Sequence, residues 1–183
     1  MRIPHGLRAA AGAKAGYSGD IAVAAGSSSY IYVYPFNSGT GFGTKYSDPS
    51  TLPNGSGNGI AFSPNRNVVV VANNANPCIN AYPWTSGTGF GTRYSDPATL
   101  PSGNVINPPN GYGVAFSPSG NDLVLAANKS PYIWAYPWSS GFGTQYSDPS
   151  TVVSGVGNSV AFTPSGTRVA LAHRGSPYVT YIS

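Results

Sequence analysis

Four short phrases recur along this chain in a fixed order, and that recurrence limits the fold more than any other feature. Tyr46-Ser47-Asp48-Pro49 returns at Tyr94-Ser95-Asp96-Pro97 and at Tyr146-Ser147-Asp148-Pro149. Gly41-Phe42-Gly43-Thr44 returns at Gly89 to Thr92 and at Gly141 to Thr144. Ala61-Phe62-Ser63-Pro64 returns at Ala115 to Pro118 and, with Thr for Ser, at Ala161 to Pro164. Tyr34-Pro35-Phe36 returns as Tyr82-Pro83-Trp84 and Tyr136-Pro137-Trp138. The period runs from 45 to 54 residues, too long for leucine-rich or ankyrin repeats.

Each period holds four strand candidates. The first, Gly59 to Ser63, is short, apolar and closed by a proline. A turn follows at Pro64 to Asn67, with counterparts at Pro118 to Asn121 and Pro164 to Thr167; Pro presets φ there, and Gly or Asn tolerates a positive φ. The second strand, Val68 to Ala72, is an apolar run suited to burial on both faces. The third alternates, with Ile31 and Val33 on one face and Tyr30, Tyr32 and Tyr34 on the other, and its four copies end at Tyr34, Tyr82, Tyr136 and Tyr181. A Gly-rich turn leads to a fourth strand around Phe42 to Tyr46. Four short antiparallel strands per repeat make a blade that only neighbouring blades can bury, which predicts an all-β propeller of about four blades. The repeats span about 18–58, 59–112, 113–158 and 159–183, after an irregular segment 1–17. Only the two middle blades read as complete. Two closures stay open: residues 1–16 supply a closing strand, or the chain is half of a larger ring completed by a second copy as a homodimer.

Composition agrees. Glycine (24), proline (17) and tyrosine (13) are abundant, charged residues make up 8%, and glutamate is absent, which disfavours helices. The net charge of +4 comes largely from Arg2, Arg8 and Lys14; the other cations are scattered singly, so no phosphate-tracking stripe exists and nucleic acid is not expected as a partner. The single Cys78 excludes an internal disulfide. No run is long enough for membrane insertion, and Ala9 to Gly12 is too short for a signal-peptide core.

The stretch Ala115 to Ala127, with Ser130 to Tyr136 after it, resembles the inner hairpin and third strand of WD-repeat β-propellers. No blade carries the Gly-His pair or terminal Trp-Asp of that family. The high mutual similarity of the blades is similar to repetitive propellers of bacterial and bacteriophage proteins, which implies a virion or extracellular surface setting.

Each candidate site in the sequence also has a plainer structural role. Gly39 to Thr44 lacks the Lys-Ser/Thr ending and following helix of a phosphate loop and reads as a hairpin turn. Asp48, Asp96 and Asp148 each precede proline at a strand end, where aspartate caps turns. His5 and His173 are the only histidines, and no catalytic triad or metal set is expected. Phe36, Trp84 and Trp138 read as inter-blade packing rather than sugar platforms. The loops joining strands four to one and two to three differ most between blades and share one face. That face supplies the candidate binding residues Asn73, Asn74, Asn104, Asn107, Asn110, Tyr112, Asn128, Lys129, His173 and Arg174, with His173-Arg174 aligned on Asn73-Asn74 and Asn128-Lys129. Asn54-Gly55-Ser56 and Asn128-Lys129-Ser130 there match the glycosylation acceptor pattern. The expected function is a non-enzymatic structural or protein-interaction module without cofactor. The alternative is a lectin-like propeller with a glycan as partner. A hydrolase is disfavoured because the inner strands start with Gly59, Gly113 and Ser159.

Overall fold

The computed structural model describes residues 17–101 and 108–182. They form four small antiparallel sheets, the expected blades. Blade 1 holds β1 (Ser18–Ala24), β2 (Ile31–Asn37) and β3 (Gly41–Phe42). Blade 2 is the four-stranded one, with β4 (Gly57–Phe62), β5 (Val68–Asn73), β6 (Ile79–Thr85) and β7 (Gly89–Phe90). Blade 3 holds β8 (Gly111–Phe116), β9 (Asp122–Ala127) and β10 (Ile133–Pro137), with a single Trp138–Phe142 bridge in place of a fourth strand. Blade 4 holds β11 (Gly157–Phe162), β12 (Val169–His173) and β13 (Val179–Ile182). Among the described residues blade 1 lacks an inner strand and blade 4 an outer one. All of the segment 1–17 except Tyr17 lies outside the described residues.

The fourth strand is shorter than the sequence suggests. Only Gly41–Phe42 and Gly89–Phe90 pair in ladder fashion. The chain then crosses the blade edge with spaced bonds, Gly43 N to Pro35 O (2.8 Å) and Tyr46 N to Val33 O (3.0 Å), repeated by Gly91 and Tyr94 and by Gly143 and Tyr146. Proline at the third-strand position has no N–H to give, so the ladder cannot continue there.

A hydroxyl explains why Ser or Thr always precedes the proline of the first turn. Ser63 Oγ accepts the N–H of Val68 (3.1 Å), Ser117 Oγ that of Asp122 (3.1 Å) and Thr163 Oγ1 that of Arg168 (3.2 Å). The third turn residue is left-handed in each case, at φ 79° for Gly120, 74° for Gly166 and 59° for Arg66. Glycine adopts this readily, whereas arginine is held there at a cost of roughly 1 kcal/mol. Arg66 is tethered across to blade 1, donating to the carbonyl of Asp20 and the hydroxyl of Tyr17 (both 2.6 Å).

The core lies between blades. Side chains alternate along each strand, one parity facing the preceding blade and the other the following blade. Val69, Val71, Tyr82 and Trp84 of blade 2 pack on Ile31 and Val33 of blade 1. Val70, Ala72, Ile79 and Ala81 of blade 2 pack on Leu123, Leu125, Tyr136 and Trp138 of blade 3. Val124, Ala126 and Ile133 of blade 3 pack on Val160 and Leu171 of blade 4. The repeated tryptophans are packing residues, as expected: Trp84 sits edge-on to Tyr46 (4.8 Å) and Phe90 (4.9 Å), and Trp138 repeats this with Tyr94 (5.2 Å) and Phe142 (5.0 Å). No cluster joins blade 4 to blade 1 among the described residues. Val179 and Tyr181 are left 50% and 67% exposed, so the four blades form an arc.

Strand register corrects one sequence alignment. Ile182 lies opposite Val169, as Tyr82 lies opposite Val69 and Tyr136 opposite Leu123. Ile182, and not Tyr181, therefore takes the place of the repeated tyrosine.

Asp20, which sequence reading passes over, is a buried carboxylate at the junction of blades 1 and 2. It accepts Trp84 Nε1–H and the Tyr46 hydroxyl, each at 3.0 Å. Replacing it with alanine strands both donors inside the junction. Asp20→Ala is expected to lower stability by about 3 kcal/mol in a denaturant melt. Ser117→Ala, which removes only the turn acceptor for Asp122, is expected to lower it by about 1 kcal/mol in the same measurement.

Candidate functional site

The three described inner strands run side by side along the inside of the arc, and glycine allows their approach. A side chain at Gly59 would meet the Tyr112 carbonyl oxygen at 2.5 Å, and one at Gly113 would meet the Ser159 Cα at 2.8 Å. Gly57, Gly111 and Gly157 lie as close to carbonyls of the preceding blade, those of Tyr30, Cys78 and Tyr132. Between each pair of close-packed positions the strand bulges, at Gly57/Gly59, Gly111/Gly113 and Gly157/Ser159. A bulge lets one residue leave the ladder and re-aims its side chain. The residues so released are Asn58, Tyr112 and Asn158, at the same end of three neighbouring strands. Asn58 and Asn158 are exposed and Tyr112 half-buried. Asn58 Nδ2 donates to the Gly111 carbonyl (2.9 Å), which pins its amide toward the next blade. Two amides and a phenol are thus carried at the same end of three adjacent inner strands. They offer hydrogen-bond donors to a polar solute.

Tyr112 was among the sequence candidates. Asn58 and Asn158 were passed over, although the pattern Gly57-Asn58-Gly59, Gly111-Tyr112-Gly113, Gly157-Asn158-Ser159 marks all three. A polar residue between two small ones at one repeat position was the available signal.

The loop-face candidates divide into clamps and exposed positions. The loops between strands four and one do meet those between strands two and three. Asn74 N donates to Ser56 O (3.1 Å), Asn128 N to Asn110 O (3.0 Å) and Arg174 N to Val156 O (3.0 Å). These equivalent bonds correct the alignment by one residue: Arg174 matches Asn74 and Asn128, while His173 matches Asn73 and Ala127. Asn73 is fully buried, donating to Asn80 Oδ1 (3.0 Å) and accepting the N–H of Ala75 (3.0 Å). His173, 4% exposed, makes the equivalent contact through Nε2 to Thr180 Oγ1 (2.9 Å), and its Nδ1 has no hydrogen-bond partner among the described residues. Asn128 accepts the N–H of Asn110 (2.8 Å) and donates to the Pro108 carbonyl (3.2 Å). Lys129 is half-buried, and its carbonyl accepts the Tyr132 N–H (2.6 Å). Asn74 and Arg174 are exposed. Asn104 and Asn107 lie outside the described residues.

The recurring aspartates act at turns. Asp48 is ion-paired with Lys45 and accepts Ser29 Oγ–H (2.7 Å); Asp96 pairs with Arg93 (3.6 Å); Asp148 accepts Gln145 Nε2–H (3.0 Å). Desolvation would raise the Asp48 carboxyl, but the Lys45 and Ser29 hydrogen bonds outweigh it and hold its pKa below the usual value. Burial pushes the Cys78 thiol up to about 12, so it is protonated and inert. Among the described residues no group of three or more His, Cys, Asp or Glu could hold a metal ion, and no helix is long and apolar enough to cross a membrane.

With this geometry in place, the chain was compared with known proteins. No protein-family model matches it, and no curated protein matches it. Among solved structures it is similar to the periplasmic gluconolactonase of Pseudomonas aeruginosa, with a TM-score of 0.63 and 17% sequence identity over 87% of this chain and 48% of that one. This chain therefore spans about half the length of that protein. The likeness supports the propeller fold and leaves membership of the WD-repeat family unshown. It also corrects the expectation of a non-enzymatic module, interaction scaffold and lectin alike: the fold shared here is one on which an enzyme is built. For catalysis the sequence reading considered the inner-strand starts Gly59, Gly113 and Ser159 and not the bulged residues one position earlier. A propeller site is assembled from single residues on separate blades, and geometry rather than spacing defines it.

Proposed function

We propose that this chain is half of a propeller hydrolase acting on a small, oxygen-rich ring ester of the sugar-lactone class, and that two copies close one ring. The observation that carries the reading is the alignment of Asn58, Tyr112 and Asn158 on three inner-strand bulges, in a fold shared with a lactonase. Hydrolysis of a lactone adds water to the carbonyl carbon and pushes the carbonyl electrons onto oxygen. The ring C–O bond then breaks, and the ring oxygen takes the proton to give a hydroxy acid. Amide and phenol donors aimed at the developing oxyanion lower that barrier. The same groups suit the hydroxyls of a sugar-derived ring. The WD-like hairpin belongs to this proposal as a likeness of architecture.

Three features support closure by a second copy. Blade 4 presents Ala172, Val179 and Tyr181 where blades 1 to 3 receive the next blade. Blade 1 presents Val23, Tyr34 and Phe36 where blades 2 to 4 receive the previous one. Ser159 stands where Gly59 and Gly113 admit an ordinary inner strand, so a further blade of the regular kind would collide with its side chain. Among the described residues blade 1 brings no inner strand to that place.

Purified protein is expected to hydrolyse glucono-1,5-lactone or a related lactone above the spontaneous rate in a pH-indicator assay. Tyr112→Phe and Asn158→Ala should each reduce the enzymatic rate about 10- to 100-fold with an unchanged melting temperature. A lactone panel showing no rate above background overturns the hydrolase reading. Separately, light scattering should give a particle of about twice 18.8 kDa, and Val179→Asp should yield the single chain. A wild-type monomer overturns ring closure by a second copy and leaves the lactone result to be judged alone.

A further inference from the structure

Two of the three described junctions pair a carboxylate with the tyrosine of the Tyr-Ser-Asp-Pro phrase. Between blades 1 and 2, Asp20 accepts the Tyr46 hydroxyl and Trp84 Nε1–H, each at 3.0 Å. Between blades 3 and 4, Asp122 accepts the Tyr146 hydroxyl (2.7 Å). Asp20 lies opposite Pro35 in its ladder and Asp122 opposite Pro137; in blade 2 the residue at that register position, opposite Pro83, is Val68. Valine keeps the shape of aspartate, so the packing of the middle junction is maintained while the acceptor is lost.

The donors remain. Trp138 packs edge-on to Tyr94 and Phe142 as Trp84 packs on Tyr46 and Phe90. Its backbone N–H donates to Asn121 O (2.6 Å) as that of Trp84 does to Asn67 O (2.7 Å). Trp138 is 6% exposed. Its Nε1–H and the Tyr94 hydroxyl make no hydrogen bond to a described residue, and neither atom is fully enclosed by protein. Both residues line a hollow of about 260 Å³ between blades 2 and 3, together with Val68, Asn65, Asn67 and Gly120. Gly120 is the counterpart of Arg66, whose side chain crosses the preceding junction to the Asp20 carbonyl; glycine leaves that space open.

The acceptors around the hollow are in use. The Val68 carbonyl takes the Ser63 N–H (2.9 Å), Asn65 Oδ1 takes the Ser63 hydroxyl (2.7 Å) and the Asn121 carbonyl takes the Trp138 N–H. The groups to spare are donors, and no carboxylate lines the hollow to repel an anion. Donors held in a largely buried setting favour an acceptor, and an ionised acceptor makes the stronger bond.

We propose that this hollow binds a small carboxylate, which meets Trp138 Nε1–H and the Tyr94 hydroxyl as Asp20 meets Trp84 and Tyr46. The ligand class is a short-chain monocarboxylic acid in its ionised form. The site lies at the opposite end of the strands from Asn58, Tyr112 and Asn158, so its occupancy stands or falls independently of lactone hydrolysis.

The chain's three tryptophans give the test its internal controls. Trp84 already donates to Asp20, and Trp134 to the Lys129 carbonyl (3.4 Å). In ¹H–¹⁵N spectra of the full chain titrated with sodium propionate, the Trp138 indole N–H signal, assigned from its ring protons, is expected to move downfield saturably while the other two stay. Propionamide, of the same shape without the charge, should bind about tenfold or more weakly. Val68→Asp supplies the carboxylate from the chain itself; it should move the Trp138 signal toward that of Trp84 without ligand and abolish the propionate response. Tyr94→Phe, which removes one donor, should weaken propionate binding about tenfold and decides the matter if the aspartate variant fails to fold. The proposal is overturned if the Trp138 signal of folded wild-type protein shows no saturable shift, if sodium chloride reproduces the shift, if propionamide binds equally well, or if propionate binding is unchanged in a folded variant.

Discussion

The strand Val68–Asn73 of blade 2 is buried along its whole length, with alternate side chains entering two different clusters. That sharing of one strand between two cores is what the fold depends on. A blade of three or four short strands has two apolar faces and no core of its own. It becomes stable only when a neighbour covers each face, so stability is a property of junctions rather than of blades. Among the described residues blades 1 and 4 each have one covered face. Their strands accordingly carry the exposed Val23, Val179 and Tyr181, whereas the interior strands of blades 2 and 3 carry almost no exposed apolar surface.

Junction packing also dictates where the chain must be small. The inner strands approach so closely that Gly59 and Gly113 have no room for a methyl group. The same closeness forces the extra residue of each strand out of the ladder, and so produces Asn58, Tyr112 and Asn158 as a polar set. Site and scaffold are therefore one consequence of a single steric constraint. Bulges at a sheet rim release side chains without disturbing the register of the strands behind them, and the paired residues that follow each bulge keep equivalent partners in all three inner strands.

Much of this was legible in the residues. The repeat phrases located the blades, the apolar run at Val68 to Ala72 marked a doubly buried strand, and the proline-led turns marked the hairpins. The tyrosine and tryptophan phrases pointed to inter-blade packing, which Trp84 and Trp138 provide. What stayed hidden depends on partners far apart in sequence. Asp20 is one polar letter in a strand until Trp84, 64 residues later, is seen to donate to it. The loop alignment slipped by one residue because Asn128 resembles Asn73 in type while its backbone bond matches that of Asn74. Tyr181 looked like the repeated tyrosine for a similar reason: letters were matched where hydrogen-bond register decides. The candidate site was least legible, because its three side chains lie on three blades and share only a polar residue between two small ones at one repeat position.

The positions where one blade departs from the others are where its surroundings are unique. Arg66 replaces glycine in a left-handed turn because it reaches back to blade 1. Ser159 replaces glycine where no described inner strand follows. His173 replaces Asn73 and finds Thr180 in place of Asn80, while Ile182 replaces a buried tyrosine in a blade whose opposite face no described residue covers. Repetition is enforced wherever both faces of a blade are packed, since a changed volume there would open or overfill a junction at a cost of about 1–3 kcal/mol. At blade 4, one face of which no described residue covers, that enforcement weakens, and substitutions that would damage blades 2 or 3 become tolerable. The irregular residues of a repetitive fold thus mark the places released from packing, and a chain built almost wholly of junctions can develop chemistry only there and on its bulges.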